Sequence, residues 1–567
     1  MKLINQLKLF FLIFIFILFN LGSAFAVDPV GKEPKVDDFN KSKQVSPPID
    51  QPELLKKPKE SEKATSDIKI KISQFNFTGN TIISNEQLKD LTSEFIGKEL
   101  SYDDLKDVLR LISSFYQKKL GLWARAILPE QDINNGIIKI QIIEGRLGKV
   151  IINSDEKELN LDKEVARKYI ENKISKEEIL NISQIESNIR NLNAIPGIQA
   201  IASLEAGQNV GETDIIVQLQ NKKNISATLQ ADSYGSRSSG SARGTALVNF
   251  DSLLKEGEQF TIQKVNTIGS DYNAAAASFR IGYDGTRATL RASKIRYDLG
   301  DPFSSTNPTG NSSELSASIQ KPLGSIGSTN LNSNFTLSES DYENKNNTPS
   351  NTQKKITRAV AALSFNRSDD FYKGGVNYGS ITATAGDLED SSTASRTKNA
   401  DGNFSKTSLS LSRLQRISDS DILQVNFSSQ YAFKNLDSAE QFSLGGPYGI
   451  RAYPNSEGQG DHGMMINLEL KHGFNENLEG ILFYDWGRIQ LNQNTYSGWN
   501  SSNARLKNIY ELQGTGIGLN WNITPSVRVN WIFAMTLGDN KGEDSAGLDN
   551  DGLTKDKRSY LSITSNF

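Results

Sequence analysis

Apolar residues along this chain keep three successive spacings: one unbroken run, then a mixture of helical and strand periods, then a long stretch of strict alternation. The run comes first, over 9–19, preceded by Lys2 and Lys8 and followed by the small-x-small site Ala24-Phe25-Ala26. This predicts an export signal over 1–26, cleaved after Ala26. Its eleven residues, at ~1.5 Å each, cover only about half of a ~30 Å hydrocarbon layer. No later stretch approaches a membrane-spanning helix in length, so a mature chain that crosses a membrane must cross it as a closed barrel, which satisfies every backbone group internally. Over 27–66 the chain is charged and broken by Pro47, Pro48, Pro52 and Pro58, with almost nothing to bury, and reads as a disordered linker.

From 67 the spacing becomes mixed. A strand over 68–77 closes at Gly79-Asn80. A helix capped by Ser84 follows, with Leu88 and Leu91 on one face. Ser101 opens a second helix, with Asp103 and Asp104 in its first turn and Leu105, Val108, Leu109, Ile112 and Phe115 at helical spacing. Strands over 122–128 and 137–144 flank the turn Asn134-Asn135-Gly136. The order β-α-α-β-β then repeats: strand 149–153, helices 162–172 and 183–192, strands 198–206 and 213–219. Two small α+β domains in tandem are expected, over 67–147 and 148–222.

Alternation with a period of two fills 223–567. Ile225, Ala227, Leu229 and Ala231 alternate with Ser226, Thr228, Gln230 and Asp232, and Val529, Trp531, Phe533 and Met535 with Arg528, Asn530 and Ile532. Such a face meets either a second sheet or lipid. The export signal, the long Asn/Ser/Asp-rich loops and the final strand 559–567, ending on Phe567, favour lipid. At about 21 residues per strand and connection, the region holds about 16 antiparallel strands, an even number as bacterial barrels require. The fold expected is an all-β transmembrane barrel with two α+β domains before it.

Composition agrees with that reading and removes others. Hydrophobic residues are 37% with 44 glycines, as expected when each strand carries one polar residue per apolar one. The formal charge of −3 gives no field that would gather nucleic acid. With no cysteine there is neither a disulfide nor a thiolate metal site. His462 and His472 are the only histidines and form no Glu-x-x-His pair, no Walker A pattern occurs, and Asp549-Asn550-Asp551-Gly552 lacks the spacing and closing Glu of an EF-hand. No catalytic residue, metal or cofactor is expected, and the protein is not expected to be an enzyme.

The two small units resemble polypeptide-transport-associated (POTRA) domains. Leu128-Pro129-Glu130-Gln131-Asp132 and Ile143-Glu144-Gly145-Arg146-Leu147 resemble the end of the first such domain in two-partner secretion transporters, and Leu192-Asn193-Ala194-Ile195-Pro196-Gly197 resembles the middle of the second. In the barrel, Leu444-Gly445-Gly446-Pro447-Tyr448-Gly449-Ile450-Arg451-Ala452-Tyr453-Pro454 resembles the sixth extracellular loop of the Omp85 superfamily, whose tip carries Val-Arg-Gly-Tyr/Phe. Ile450 and Ala452 depart from that motif; if the family's Gly adopts a positive φ, Ala452 would strain the turn by roughly 1 kcal/mol. Asp232-Ser233-Tyr234-Gly235, with Gly240, resembles the family's Asp-Asn-Tyr-Gly motif, with Ser233 as a departure.

The resemblance implies an outer-membrane pore of the haemolysin secretion/activation type, which recognises and secretes one large partner exoprotein. It implies that loop six folds into the lumen and that Arg451 pairs with a wall Asp in a Phe-x-Asp motif. Phe483 and Asp485 match that motif, and period two places Asp485 inward and Trp486 outward. The partner would add a strand to a periplasmic sheet edge, for which 122–128 and 198–206 are the candidate strands, with Trp123, Arg125, Ile127, Gln199 and Ile201 as candidate contacts. Outer-membrane lipid and, through Phe567, the barrel-assembly machinery are the other partners implied. A barrel-assembly insertase of the same superfamily and a passive porin or surface adhesin are the alternatives; the first usually carries more periplasmic repeats, and the second leaves both repeats unexplained.

Overall fold

The computed structural model describes residues 69–567 apart from 134, 306–307, 346–351 and 391, together with the backbone of 55–56. The expected export signal, and the linker but for that pair, lie outside the described residues.

In the first small unit, helices α1 (Asn85–Leu91) and α2 (Tyr102–Phe115) start where their caps predict: Ser84 with Gln87, and Ser101 with Asp104, each form a reciprocal capping box. Leu88, Leu105, Val108 and Ile112 are buried against a three-stranded sheet ordered Gln74–Thr78, Ile137–Glu144, Ala124–Ile127. The expected strand 68–77 is broken in two, because Ile70–Lys71 turns away to pair with a short strand, Glu99–Leu100. The second unit packs α3 (Lys163–Glu171) and α4 (Ile182–Asn193) on a sheet ordered 55–56, Ile198–Ala206, Glu212–Asn221, Arg146–Asn153. Its first strand begins at Arg146, two residues before the expected boundary.

The two units are joined without a linker. Trp123 N–H donates to the Leu180 carbonyl (2.8 Å), Gly145 N–H to that of Trp123 (2.9 Å) and Leu180 N–H to that of Gly145 (2.8 Å). Gly145 has to be glycine, since a Cβ there would lie 2.5 Å from the Trp123 ring and 2.7 Å from Thr213 Oγ1. Beside it, the buried Glu144 carboxylate accepts from the N–H groups of Thr81 (2.8 Å) and Ile82 (3.1 Å), from the Thr81 hydroxyl and from Tyr116 Oη (2.9 Å). Burial opposes its charge, but these donors outweigh burial and hold its carboxyl below the usual glutamate value. Burial, then the Glu144 hydrogen bond and charge, push the Tyr116 hydroxyl up.

The second unit seats on the turns at one rim of the barrel. Asn191 Nδ2 donates to the Asp284 carbonyl (3.0 Å), Arg190 Nη2 to Ser325 Oγ (2.9 Å), Ser252 Oγ to the Pro196 carbonyl (2.6 Å) and Asp162 N–H to that of Lys255 (3.1 Å). The Pro196-Gly197 turn thus lies on the rim itself.

Sixteen antiparallel strands close the barrel, in chain order, with the last strand (Lys557–Asn566) returning to the first (Ile225–Asp232). The wall is uneven: the first strand has eight residues, and Thr309–Ile326 has eighteen. Leu290, Leu315, Leu337 and Leu363 stand on the outer face, 44–62% exposed. Lipid is the medium that removes such a face from water.

Glu144→Gln is expected to destabilise the first unit by about 1–3 kcal/mol, the cost of leaving buried donors unsatisfied. Because the folded pKa lies below the unfolded one, Glu144's contribution is present in full above the unfolded value. It is lost as pH falls through the folded value, that is, below the ordinary 4.5. Hydrogen exchange in α1 of the detergent-solubilised protein reads this: protection falls with acid in the native chain, and falls already at neutral pH in the variant.

Candidate functional site: a loop locked inside the barrel

Loop six, 433–461, joins the strands Asp421–Ala432 and His462–Asn475 and turns back into the lumen. Its tip is a compact turn held by its own backbone: Leu444 N–H donates to Gly458 O (3.1 Å), Gly445 to Glu457 O (2.9 Å), Gly446 to Tyr453 O (3.0 Å) and Ile450 to Leu444 O (2.7 Å). Gly446 has φ of 107°, which only glycine adopts readily.

The turn presents Arg451 to two neighbouring strands. Its Nε and Nη2 bind Asp485 Oδ2 (2.9 Å) and Oδ1 (2.7 Å) as a fork, its own N–H reaches Oδ2 (3.0 Å), and Nη1 reaches Glu469 Oε1 (2.5 Å). Lys471 Nζ lies 3.3 Å from the other Glu469 oxygen, so two cations face two carboxylates. Beneath the guanidinium lies the Phe483 ring, 3.6 Å from Arg451 Cζ. Asn467 Nδ2 bridges Asp485 Oδ1 (2.8 Å) and the Gly449 carbonyl (2.9 Å), fixing carboxylate and loop together. Asp485 and Arg451 are buried, and Trp486 points outward towards Glu511.

The expected strain at Ala452 does not arise. Ala452 does not adopt a positive φ; the space its methyl needs comes from the wall, where a Cβ on Gly514 would stand 2.7 Å from that of Ala452. Gly514, Gly516 and Gly518 face inward in succession on the strand Ile509–Thr524, and Ala452, Phe483 and Ile481 lie over them. The departure in the loop is matched by absent side chains on the facing strand. Ile450 and Tyr453 are buried in the same cluster.

A cavity of about 380 Å³ separates the other side of the tip, Gly446 and Tyr448, from Ser428 and Gln430 of the wall. Higher up, the shaft of the loop is tied to a third side of the barrel: Glu440 binds Arg358 (3.0 Å) and Lys406 (2.8 Å), and Asp437 binds Lys354 (3.1 Å).

Sequence reasoning missed Glu469, Asn467 and Gly514. Period two from the outward Leu468 and Leu470 would have placed Glu469 inward, but only the register Glu469 opposite Phe483 brings it to Arg451. Among the candidate recognition residues, Trp123 falls outside the strand Ala124–Ile127 and packs at the junction of the two units. Arg125 is exposed and Ile127 half-buried; Gln199 and Ile201 are half-buried and alternate with buried Ile198, Ala200 and Ala202. The pair Asp549 and Asp551 binds Arg558, at 2.6 and 2.8 Å.

Comparison with known proteins places this arrangement. Residues 211–521 match the haemolysin secretion/activation protein ShlB/FhaC/HecB family, and 70–145 match the ShlB-type POTRA domain. The chain belongs to that family. The heme/hemopexin transporter protein HuxB of Haemophilus influenzae is 26% identical over 81% of this chain and 82% of its own length. The outer membrane transporter CdiB of Dickeya dadantii is 22% identical over 70% and 72%. The structure of CdiB from Escherichia coli superposes with a TM-score of 0.67 at 18% identity, covering 90% of this chain and 93% of that one. BamA from Haemophilus ducreyi, lacking POTRA domains 1–3, shares the fold at 0.53 and 14%, over 88% of this chain and all of that one. The protein is an outer-membrane transporter of two-partner secretion, a pore that exports a large partner protein, with its POTRA domains in the periplasm.

Gly514→Val is expected to unseat the tip, because its side chain occupies the place of the Ala452 methyl, while Ala452→Gly in the same chain restores the seat in part. Limited proteolysis of loop six in intact cells reads the difference, with heat-modifiable gel mobility confirming that the barrel has assembled in both.

Proposed function

We propose that the Arg451 cluster is the release element of this pore: the partner passes when loop six leaves its seat, and the buried ion pairs keep the loop seated when no partner is present. The observation that carries the reading is the burial of Arg451 between Asp485 and Glu469 on two adjacent strands. An arginine enclosed this way is costly to separate from one partner in place, about 3–5 kcal/mol. A displaced loop meets water in the lumen, where all four charged groups are rehydrated. The lock is therefore hard to break piecemeal and easier to release as a unit.

On the periplasmic side we infer recognition by strand addition, in which the edge's backbone groups supply affinity and its side chains supply register. The strand Ile198–Ala206 is favoured, with Gln199 and Ile201 as contacts. A segment of the chain itself already lies along its outer edge in parallel, Leu55 opposite Ala202 and Lys56 opposite Ser203. The other edge, with Arg125 and Ile127, is less open, since Ala126 N–H donates to Ser113 Oγ of α2 (3.0 Å). The exposed terminal Phe567 fits the role of assembly signal, and the outer apolar face fits lipid.

Arg451→Ala and Asp485→Ala are each expected to unseat loop six, so that the outer membrane leaks large antibiotics without a partner and regulated export of the partner into the medium is lost, while the barrel still assembles, judged by immunoblot and heat-modifiable mobility. Normal export by both variants excludes the release role. Because the chain has no cysteine, Gln199→Cys and Ile201→Cys give clean crosslinking sites. A stalled partner is expected to crosslink there in preference to Arg125→Cys, and equal or reversed yields would remove the preference for this edge.

A further inference from the structure

Loop six touches the barrel at a second place that the Arg451 cluster does not explain. On the flank opposite Arg451, the Tyr448 ring stands edge-on to that of Tyr234 (5.6 Å, 89°), and Arg243 stands beside them, its Cζ 5.7 Å from the centre of the Tyr234 ring and its charge within reach of the Tyr448 hydroxyl. Arg243 is itself held: Nε lies 3.0 Å from Asp232 Oδ1, Nη2 lies 3.2 Å from Oδ2, and both side chains are buried. Asp232 Oδ1 also accepts from the Tyr234 N–H (2.9 Å). One turn further along the loop, Asn455 Nδ2 donates to the Tyr234 carbonyl (2.8 Å). The last strand joins the same cluster: Tyr234 Oη donates to Ser562 Oγ (3.2 Å), Tyr234 and Tyr560 pack edge to face at 5.9 Å, and Tyr560 Oη donates to the Tyr453 carbonyl (3.3 Å).

These contacts fall at the closure seam. The first and last strands share a ladder of only five residue pairs, Thr228 with Asn566 to Asp232 with Ser562, whereas the strands Thr309–Ile326 and Thr329–Lys345 share seventeen. Above Asp232 the seam is continued by Ser233, whose N–H and hydroxyl both bond the backbone of Leu561 (2.9 Å each). Gly235 keeps the hairpin tight, since a Cβ there would stand 2.0 Å from the Gly240 carbonyl. The loop tip therefore bridges the shortest junction of the wall from the inside, gripping one strand on either side of it.

We propose that Asp232, Arg243 and Tyr448 form a second latch, which positions loop six across the closure seam and has to open, together with the Arg451 cluster, before the partner passes. The proposal rests on the reading that the partner passes when loop six leaves its seat. Asp232 and Arg243 set the latch by presenting a fixed, charge-paired guanidinium to the Tyr448 hydroxyl, and Tyr448 is the part that leaves. The two latches act on opposite flanks of one turn, so opening either alone leaves the tip tethered.

Tethering tests this in the otherwise cysteine-free chain. Tyr448→Cys with Tyr234→Cys, joined by a short reducible thiol crosslinker in assembled protein, is expected to stop export, and reduction is expected to restore it. Ala452→Cys with Leu512→Cys, a pair from the same buried cluster that leaves Gly514 intact, tethers the Arg451 flank and serves as the comparison. Export that continues through the Tyr448 tether while the Ala452 tether blocks it overturns the second latch and leaves loop release standing. Export through both tethers overturns loop release itself, and the latch with it. Without a tether, Tyr448→Ala is expected to raise the frequency of open states of the purified protein in planar bilayers about tenfold, which corresponds to about 1.4 kcal/mol of closed-state preference. Heat-modifiable mobility should stay unchanged. Tyr448→Phe, which keeps the ring and loses the hydroxyl, should fall between the two, and a native opening frequency in Tyr448→Ala overturns the proposal.

Discussion

A guanidinium buried between two carboxylates inside a water-filled barrel organises much of what surrounds it. Arg451 cannot reach Asp485 unless the loop descends far enough, and the loop cannot descend unless the facing wall is thin. The inward glycines of the strand Ile509–Thr524 meet that need, and Phe483 and Asn467 fill what remains under and beside the charge. The same constraint accounts for Glu469 and Lys471: a lone Arg–Asp pair would leave one guanidinium nitrogen without an acceptor in a site where water is displaced, and Lys471 balances the added carboxylate.

Whatever depends on the chain's own period was legible in the sequence. The outward apolar and inward polar faces, Asp485 inside with Trp486 outside, the repeated β-α-α-β-β order and the helix starts at Ser84, Ser101 and Asp162 follow from spacing and cap chemistry, and the structure places them there; the sixteen strands follow instead from the length of the alternating region and the even number that bacterial barrels require. What depends on register between distant strands was not. Glu469 joins Arg451 only because strand pairing sets it opposite Phe483, and Arg243 acquires its meaning only opposite Asp232. Ala452 looked like strain because the motif was read in isolation, while the space that accommodates its methyl lies 62 residues away at Gly514. Trp123 looked available because a strand edge is exposed in the abstract, yet the direct junction between the two units covers it.

The same lack of slack runs from periplasm to lumen. The two POTRA domains meet through backbone hydrogen bonds, and the second lies on the barrel rim through Asn191, Arg190 and Pro196. A partner bound at the strand Ile198–Ala206 would therefore be held at a fixed place relative to the pore mouth rather than on a swinging arm. Fixed placement raises the effective concentration of the bound chain at the lumen, which a flexible connection of the same length would dilute.

The closed state of such a pore has to be stable without a partner and still yield to one. Distributing the closure over separate contacts answers both demands. Glu440 and Asp437 tie the shaft of loop six to the strands Thr352–Asp369 and Gly402–Arg416, while the tip rests on Arg451 at one flank and Tyr448 at the other. The shaft bonds reach other strands than those the tip touches, so they can persist while the tip moves, and the shaft then serves as its hinge. Each tip contact is weak enough to be replaced by water once the turn begins to lift, but neither can be lost while the other still holds the turn in place. An entering polypeptide therefore has to displace the tip as one body, and a fluctuation that frees only one flank does not open the membrane.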